Sequence, residues 1–431
     1  MRAAASALVL LLVTTPSFAA EAISYKGTLN GMAIAVELTD PADGPVVGRY
    51  SYIEHGVDIP LQATDGAAGQ IVLVEEAPCA PGLCPVDEDY NVTGWPMAAT
   101  WTLAVAADGA VTGTWQAEGK SKQLDIALEK IGQRILPDET EHTPYGLHDS
   151  AFAQAYARGA VFSRETAPYD FLKMDVTLEE GPVEALGGSH FRYVTDPRTR
   201  FAFPRLIDLA DSSDIAPANA TLAAEHASVN FAAFDCLSQV YAGFGGRDDM
   251  LDMGIGTLAG YEDESVIMTY LSPTLTSWTA SGSTFCAGAY PNNHSNVSMI
   301  DTRTGATFSL ARVFKDWIAV SNNNDYDAPV DQAAALASPQ DYTWGAGQAL
   351  IDYAIVHNTA ADPSFADDCG MDDLIASNLG FRFLPDDSVV FTLENLPHVI
   401  FACGEDLLTV KLSEIPELLA PTAGEVFPSL N

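Results

Sequence analysis

The chain has 431 residues, with 20 Lys or Arg against 58 Asp or Glu, a formal net charge of −38. A field of that sign repels phosphate backbones and anionic lipid, which argues against nucleic-acid binding and membrane docking and favours encounter with cationic partners. Hydrophobic residues make up 48%, enough to build a core, and the length suits two or three domains.

Residues 1–20 carry the three parts of a secretory signal. Arg2 supplies the positive end, residues 7–13 the short apolar run, and Ser17 and Ala19 the small residues before a cleavage point. Cleavage is expected after Ala19, Ala20 or Ala22. The apolar run is too short to span a bilayer, and no later uncharged stretch is long enough. A periplasmic or secreted protein without a membrane anchor is therefore expected. Six cysteines suit an oxidising compartment, where an even count reads as disulfides. Sequence order pairs Cys79 with Cys84, Cys236 with Cys286 and Cys369 with Cys403.

Residues 21–130 read as an antiparallel β module, a meander or small barrel of about eight strands. Apolar and polar residues alternate over 33–38, 71–74 and 101–105. Turn pairs fall between such runs: Asn30-Gly31, Asp43-Gly44, His55-Gly56, Asp65-Gly66, Asp108-Gly109 and Glu118-Gly119. Asn-Gly and Asp-Gly supply the positive φ that tight hairpins need. Tyr50, Tyr52, Trp101 and Trp115 read as core or rim aromatics.

Residues 131–150, with Pro137, Pro144 and a charged run, read as a linker. Residues 151–431 then mix helices (149–158, 219–237, 309–317, 344–357) with strands (266–271, 297–301, 381–384, 388–393, 407–412). The interleaving predicts an α+β domain. His226 falls on the apolar face of the second helix and reads as a core histidine.

Catalytic signatures are missing: there is no G-x-S-x-G, H-E-x-x-H or S-x-x-K. The glycines at 243–246 and 254–256 do not continue into a phosphate loop. His142 and His148 lie six apart in the expected linker, not at the i, i+4 spacing of a helical metal pair. Acidic pairs such as Glu179-Glu180, Asp248-Asp249, Asp372-Asp373 and Asp386-Asp387 read as solvated surface. Asn323, Asp325 and Asp327 are the one calcium candidate, since hard cations take clustered oxygens. No Gly at the turn and no closing Glu complete the loop, so a polar loop is the plainer reading. No cofactor is implied.

Three stretches carry a family resemblance. The first runs from Phe203-Pro204-Arg205-Leu206 to Asn219-Ala220-Thr221-Leu222. The second holds Met268-Thr269-Tyr270-Leu271-Ser272, Phe285-Cys286-Ala287-Gly288-Ala289-Tyr290-Pro291-Asn292, Asp301-Thr302-Arg303-Thr304-Gly305 and Phe308-Ser309-Leu310. The third holds residues 381–387, Leu396-Pro397-His398 and residues 410–415. Over about residues 160–420 the chain resembles the extracytoplasmic domain of RsiV-type anti-sigma factors, also found in PdaC-type peptidoglycan deacetylases. The resemblance implies an α+β fold and a domain that binds, in the anti-sigma relatives lysozyme, without catalysing. The chain lacks their transmembrane helix, sigma-binding segment and deacetylase domain. Tyr290, Asn292 and His294 are the candidate contact residues, Tyr290 standing where relatives often have His. The expected function is that of an exported, non-enzymatic envelope protein that binds a basic protein such as lysozyme, or peptidoglycan. The alternative is an envelope hydrolase or carbohydrate-active enzyme with a carboxylate site.

Overall fold

The computed structural model describes residues 20–431 except 66–68, 80–83, 86, 89–92, 158–161, 242–263, 285–291, 321–329, 339–340 and 360–368. Strands β1 (Glu21–Leu29), β2 (Met32–Thr39), β3 (Gly48–Tyr52), β4 (Ile59–Ala63), β5 (Ile71–Glu76), β6 (Met97–Val105), β7 (Val111–Ala117) and β8 (Gln123–Ile135) follow one another around a closed barrel. Each pairs antiparallel with the next, and β8 pairs back onto β1. Closure leaves no free sheet edge. Several expected turns sit where the alternation breaks: Asn30 and Gly31 have φ 49° and 84°, and Gly109 and Gly119 have φ 84° and 67°.

The period of two decides what the barrel encloses. Tyr25, Leu29, Ile34, Val36, Leu38, Tyr50, Leu73, Trp101 and Leu128 are buried together inside. Tyr50 and Trp101 are core residues, with ring centroids 4.8 Å apart. One carboxylate joins them. Glu75 Oε2 accepts the indole N–H of Trp101 at 2.8 Å and of Trp115 at 2.7 Å. Burial raises its pKa, and these bonds hold the rise back. Where strands close tightly, only glycine fits: a Cβ on Gly27 would lie 2.0 Å from the Ala127 carbonyl oxygen.

The second region does not form the α+β domain that the sequence suggests. The chain is 40% strand and 26% helix, with the closed barrel in front, so it is largely β. Past the barrel come β9 (Glu179–Leu186), β10 (Ser189–Thr195) and β11 (Ala202–Asp208) in one sheet, then β12 (Ser265–Leu271), β13 (Thr276–Thr284) and β14 (Asn292–Ile300) in another. A pair, β15 (Trp317–Val320) and β16 (Thr343–Ala346), and a sheet of β17 (Leu379–Phe383), β18 (Ser388–Leu393) and β19 (Asp406–Lys411) follow. Helices α1 (Pro144–Ala157) and α2 (Pro168–Met174) lie against the barrel, α3 (Ala216–Ser238) lies against β11, and α4 (Gln348–His357) and α5 (Met371–Asn378) lie against β16 and the last sheet. Strands such as β9 and β13 are rich in Glu or in Ser and Thr, so their apolar alternation is faint in sequence. The helix expected at 309–317 is a short 3-10 turn at Leu310–Arg312 followed by β15.

Two further apolar cores lie past the barrel. One joins Phe203, Leu206 and Leu222 to Met268 and Trp278. The other gathers Phe314, Phe381, Phe383, Phe391 and Phe427. Cys369 and Cys403 are bonded at the edge of the latter, and Cys79 is bonded to Cys84. Cys236 is disulfide-bonded; its expected partner, Cys286, lies outside the described residues. Among the described residues no helix is long and apolar enough to cross a membrane.

Gly27→Ala should destabilise the barrel by about 1–3 kcal/mol, the usual cost of overpacking, because the clash is with backbone. Urea unfolding should show a lower midpoint; Gly31→Ala, which meets no neighbouring atom, should cost only the roughly 1 kcal/mol of placing a side chain at a φ of 84°.

Candidate functional site

The outer wall of the barrel carries an ionic network under the helices. Glu37 on β2 and Arg49 on β3 are directly opposed across the ladder and point outward. α1, α2 and α3 cover them, so side chains that would ordinarily be solvated are buried: Arg49 is 1% exposed and Glu37 0%. Burial of a charge is costly unless partners replace the lost water. Here each group is supplied with partners.

Arg49 donates from Nε to Glu37 at 2.8 Å, from Nη1 to Asp58 at 2.7 Å and from Nη2 to Asp170 at 2.9 Å. Its guanidinium lies 4.2 Å from the Tyr169 ring centroid. Arg134, near the end of β8, holds Glu37 from the other side at 2.7 Å and also donates to the Leu147 carbonyl oxygen at 2.8 Å. Asp58, in the loop before β4, accepts from Tyr169 at 2.7 Å, Lys173 at 2.8 Å, Arg49 and His148. His148 spans two elements: Nδ1 reaches Asp58 at 2.8 Å and Nε2 reaches Asp235 on α3 at 2.5 Å.

The cluster holds four carboxylates, Glu37, Asp58, Asp170 and Asp235, and four cations, Arg49, Arg134, Lys173 and protonated His148. Burial alone would raise Glu37, but Arg134 and Arg49 outweigh it and bring it down to about 2. Asp58 is likewise held well below the usual carboxylate range by Lys173, Arg49 and His148 against the opposing effect of burial. Burial opposes the charge on His148 too, yet the bonds to Asp235 and Asp58 raise it to about 9. Both of its nitrogens are engaged, so it has no lone pair free to take a proton from a substrate. The chemistry of the cluster is that of a lock between barrel and helices.

A cavity of 220 Å³ opens beside the lock, lined by Arg49, Asp58, Tyr145, His148, Asp149 and Gln239 among others. At its margin the Tyr145 hydroxyl lies 2.5 Å from Glu76 Oε2 and 3.1 Å from the Tyr241 carbonyl oxygen. One hydroxyl proton faces two acceptors. Tyr145 donates to Glu76 at the shorter distance, and the Tyr241 carbonyl oxygen stands as a second acceptor farther off. Burial raises Glu76 to about 7, while bonds from Tyr145 and Gln62 pull the other way.

The residues singled out from sequence lie elsewhere. Tyr290 and the calcium candidates Asn323, Asp325 and Asp327 are outside the described residues. Asn292 opens β14, and His294, two residues on, sits 3.0 Å from Glu264, whose hydrogen bond raises its pKa. His226 is a core histidine: Nε2 lies 3.0 Å from the Phe201 carbonyl oxygen, and burial lowers its pKa to about 4. Among the described residues no three His, Cys, Asp or Glu side chains are grouped to hold a metal. In sequence the nearest histidine to His148 is His142, whereas the partners that give it meaning are 87 and 90 residues away. The sequence signal that existed was the alternation of β2 and β3, which places Glu37 and Arg49 on one face.

No family model and no curated protein matches this chain.

Two predictions concern the lock. Arg49→Met removes one cation from three buried carboxylates and should cost about 3–5 kcal/mol, read as a lower urea midpoint. The pH test has a definite sign. Free carboxyl and imidazole groups titrate near 4.5 and 6.5, and the folded chain raises Glu76 to about 7 and His148 to about 9. The folded state therefore binds more protons between each pair of values. The contribution of Glu76 is complete below 4.5 and is lost as pH rises through 7; that of His148 is complete below 6.5 and is lost through 9. Relative to the wild type, Glu76→Gln should flatten the stability curve in the first window and His148→Gln in the second. Parallel curves would contradict these assignments.

Proposed function

We propose that this chain is an exported, non-enzymatic binding protein of the cell envelope, and that its acidic exterior receives a basic protein of the lysozyme kind. The observation that carries this reading is the charge balance of the lock. With four cations set against four carboxylates inside, essentially the whole excess of −38 belongs to the rest of the chain. Opposite potentials speed encounter and select partners. The signal-like N-terminus, with cleavage near residues 19–22, and the disulfides support a periplasmic or secreted location. The resemblance of residues 160–420 to lysozyme-binding extracytoplasmic domains supports the same choice of partner. A glycoside hydrolase would need a pair of carboxylates free to give or take a proton. Of the two acids lining the cavity among the described residues, Asp58 is already bonded by four donors, which leaves Asp149 there without a second free carboxylate.

Titration of lysozyme into the purified chain tests this. Saturable binding is expected at low salt, weakening by about tenfold or more near 0.5 M salt, where surface charges are screened. No binding at low ionic strength, or turnover of peptidoglycan by the chain, would end the proposal.

A further inference from the structure

The lock leaves one carboxylate over. Asp149 follows His148 on α1 and lines the same 220 Å³ cavity. The other ionised groups in that wall are occupied: Arg49 through all three nitrogens, Asp58 through both oxygens, His148 through both nitrogens. Among the described residues Asp149 has no ion pair or side-chain hydrogen bond of its own. Asp149 is itself exposed to solvent; partial desolvation, then the neighbouring charges of Asp235 and Glu141, raise its pKa, although His148 and Arg49 act the other way. A cation arriving in the cavity would relieve that environment.

The space and the walls suit one kind of cation. At roughly 30 Å³ per water the cavity holds about seven waters, room for a flat charged head and part of an aliphatic stem. Tyr145 forms one side. Trp95 stacks on it with ring centroids 6.0 Å apart and planes 28° apart, and Trp95 is 43% exposed. Aromatic faces attract cations, arginine above all, whose planar guanidinium stacks while its N–H groups fork onto a carboxylate.

We propose that this cavity is a socket for a single basic side chain, arginine in preference to lysine, with Asp149 as its counter-ion and Tyr145, backed by the stacked ring of Trp95, as its wall. The proposal deepens the reading given above and rests on it for the identity of the partner, a basic protein that inserts one such side chain. The socket itself does not need a protein to be detected.

Isothermal titration with acetyl-arginine amide is the test, with chitotriose as a parallel ligand. The expected result is saturable one-to-one binding of the arginine derivative. Asp149→Asn should weaken it by about tenfold or more, the loss of a charge-assisted pair, and Trp95→Ala by roughly threefold. Glu184→Gln, a change on the exposed face of β9, controls for general acidity and should leave it unchanged. An unchanged urea midpoint for Asp149→Asn shows that its loss is not unfolding. Equal binding by Asp149→Asn and wild type, an equal loss with Glu184→Gln, no binding at all, or binding of chitotriose alone would each overturn the socket. Lysozyme binding that survives Asp149→Asn removes the socket and keeps the partner. Arginine binding without lysozyme binding does the reverse.

Discussion

The guanidinium of Arg49 is the point on which the arrangement of barrel and helices depends. It is almost wholly withdrawn from water, and its three nitrogens are distributed to three carboxylates from β2, the loop before β4, and α2. Taking such a group out of water costs several kcal/mol before any partner is counted. The cost is offset only when each nitrogen finds an oxygen at the right angle. That requirement fixes where α2 must sit, because Asp170 and Tyr169 both belong to it. Arg134 and His148 extend the same demand to α1 and α3. Ionic geometry, as well as apolar contact, therefore positions three helices on the barrel wall.

A lock of this sort has two consequences. It is neutral within, so the acidity of the chain is expressed outside it. It is also directional in pH: Glu76 and His148 both hold protons more tightly in the folded state, and the junction is firmest where both are protonated. Asp149, beside the lock but outside its balance, is where the two consequences meet. The inner network makes the cavity wall rigid and saturated, which leaves that carboxylate as the part able to respond to a newcomer.

The barrel interior solves a similar problem on a smaller scale. Glu75 faces inward among aromatics and is held by two indole N–H groups without a cation. Burial raises its pKa, and the hydrogen bonds offset only part of that rise. Set beside Glu37, which lies three strands earlier in the barrel and is pulled to about 2, it shows how fully surroundings decide the state of one side-chain type.

Much of the barrel was legible in the chain itself. The alternation of residues 33–38 and 101–105, punctuated by Asn30-Gly31 and Asp108-Gly109, implied antiparallel hairpins, because a pleated strand repeats every two residues and positive φ is cheap only at such turns. The sequence also determined the excess of charge and the local pairing of Cys79 with Cys84. The predominance of strand past residue 178 was not legible, since β9 and β13 carry polar residues on both faces and imitate loops. Nor was the lock. Glu37, Asp58, His148, Asp170 and Asp235 look like ordinary acidic and polar surface when read in order, and only closure of the barrel and docking of three helices bring them within hydrogen-bond reach. Hydrophobic periodicity is a short-range property that a sequence displays directly, whereas the value of a charge depends on distant neighbours and on water, and both are set only when the chain has folded.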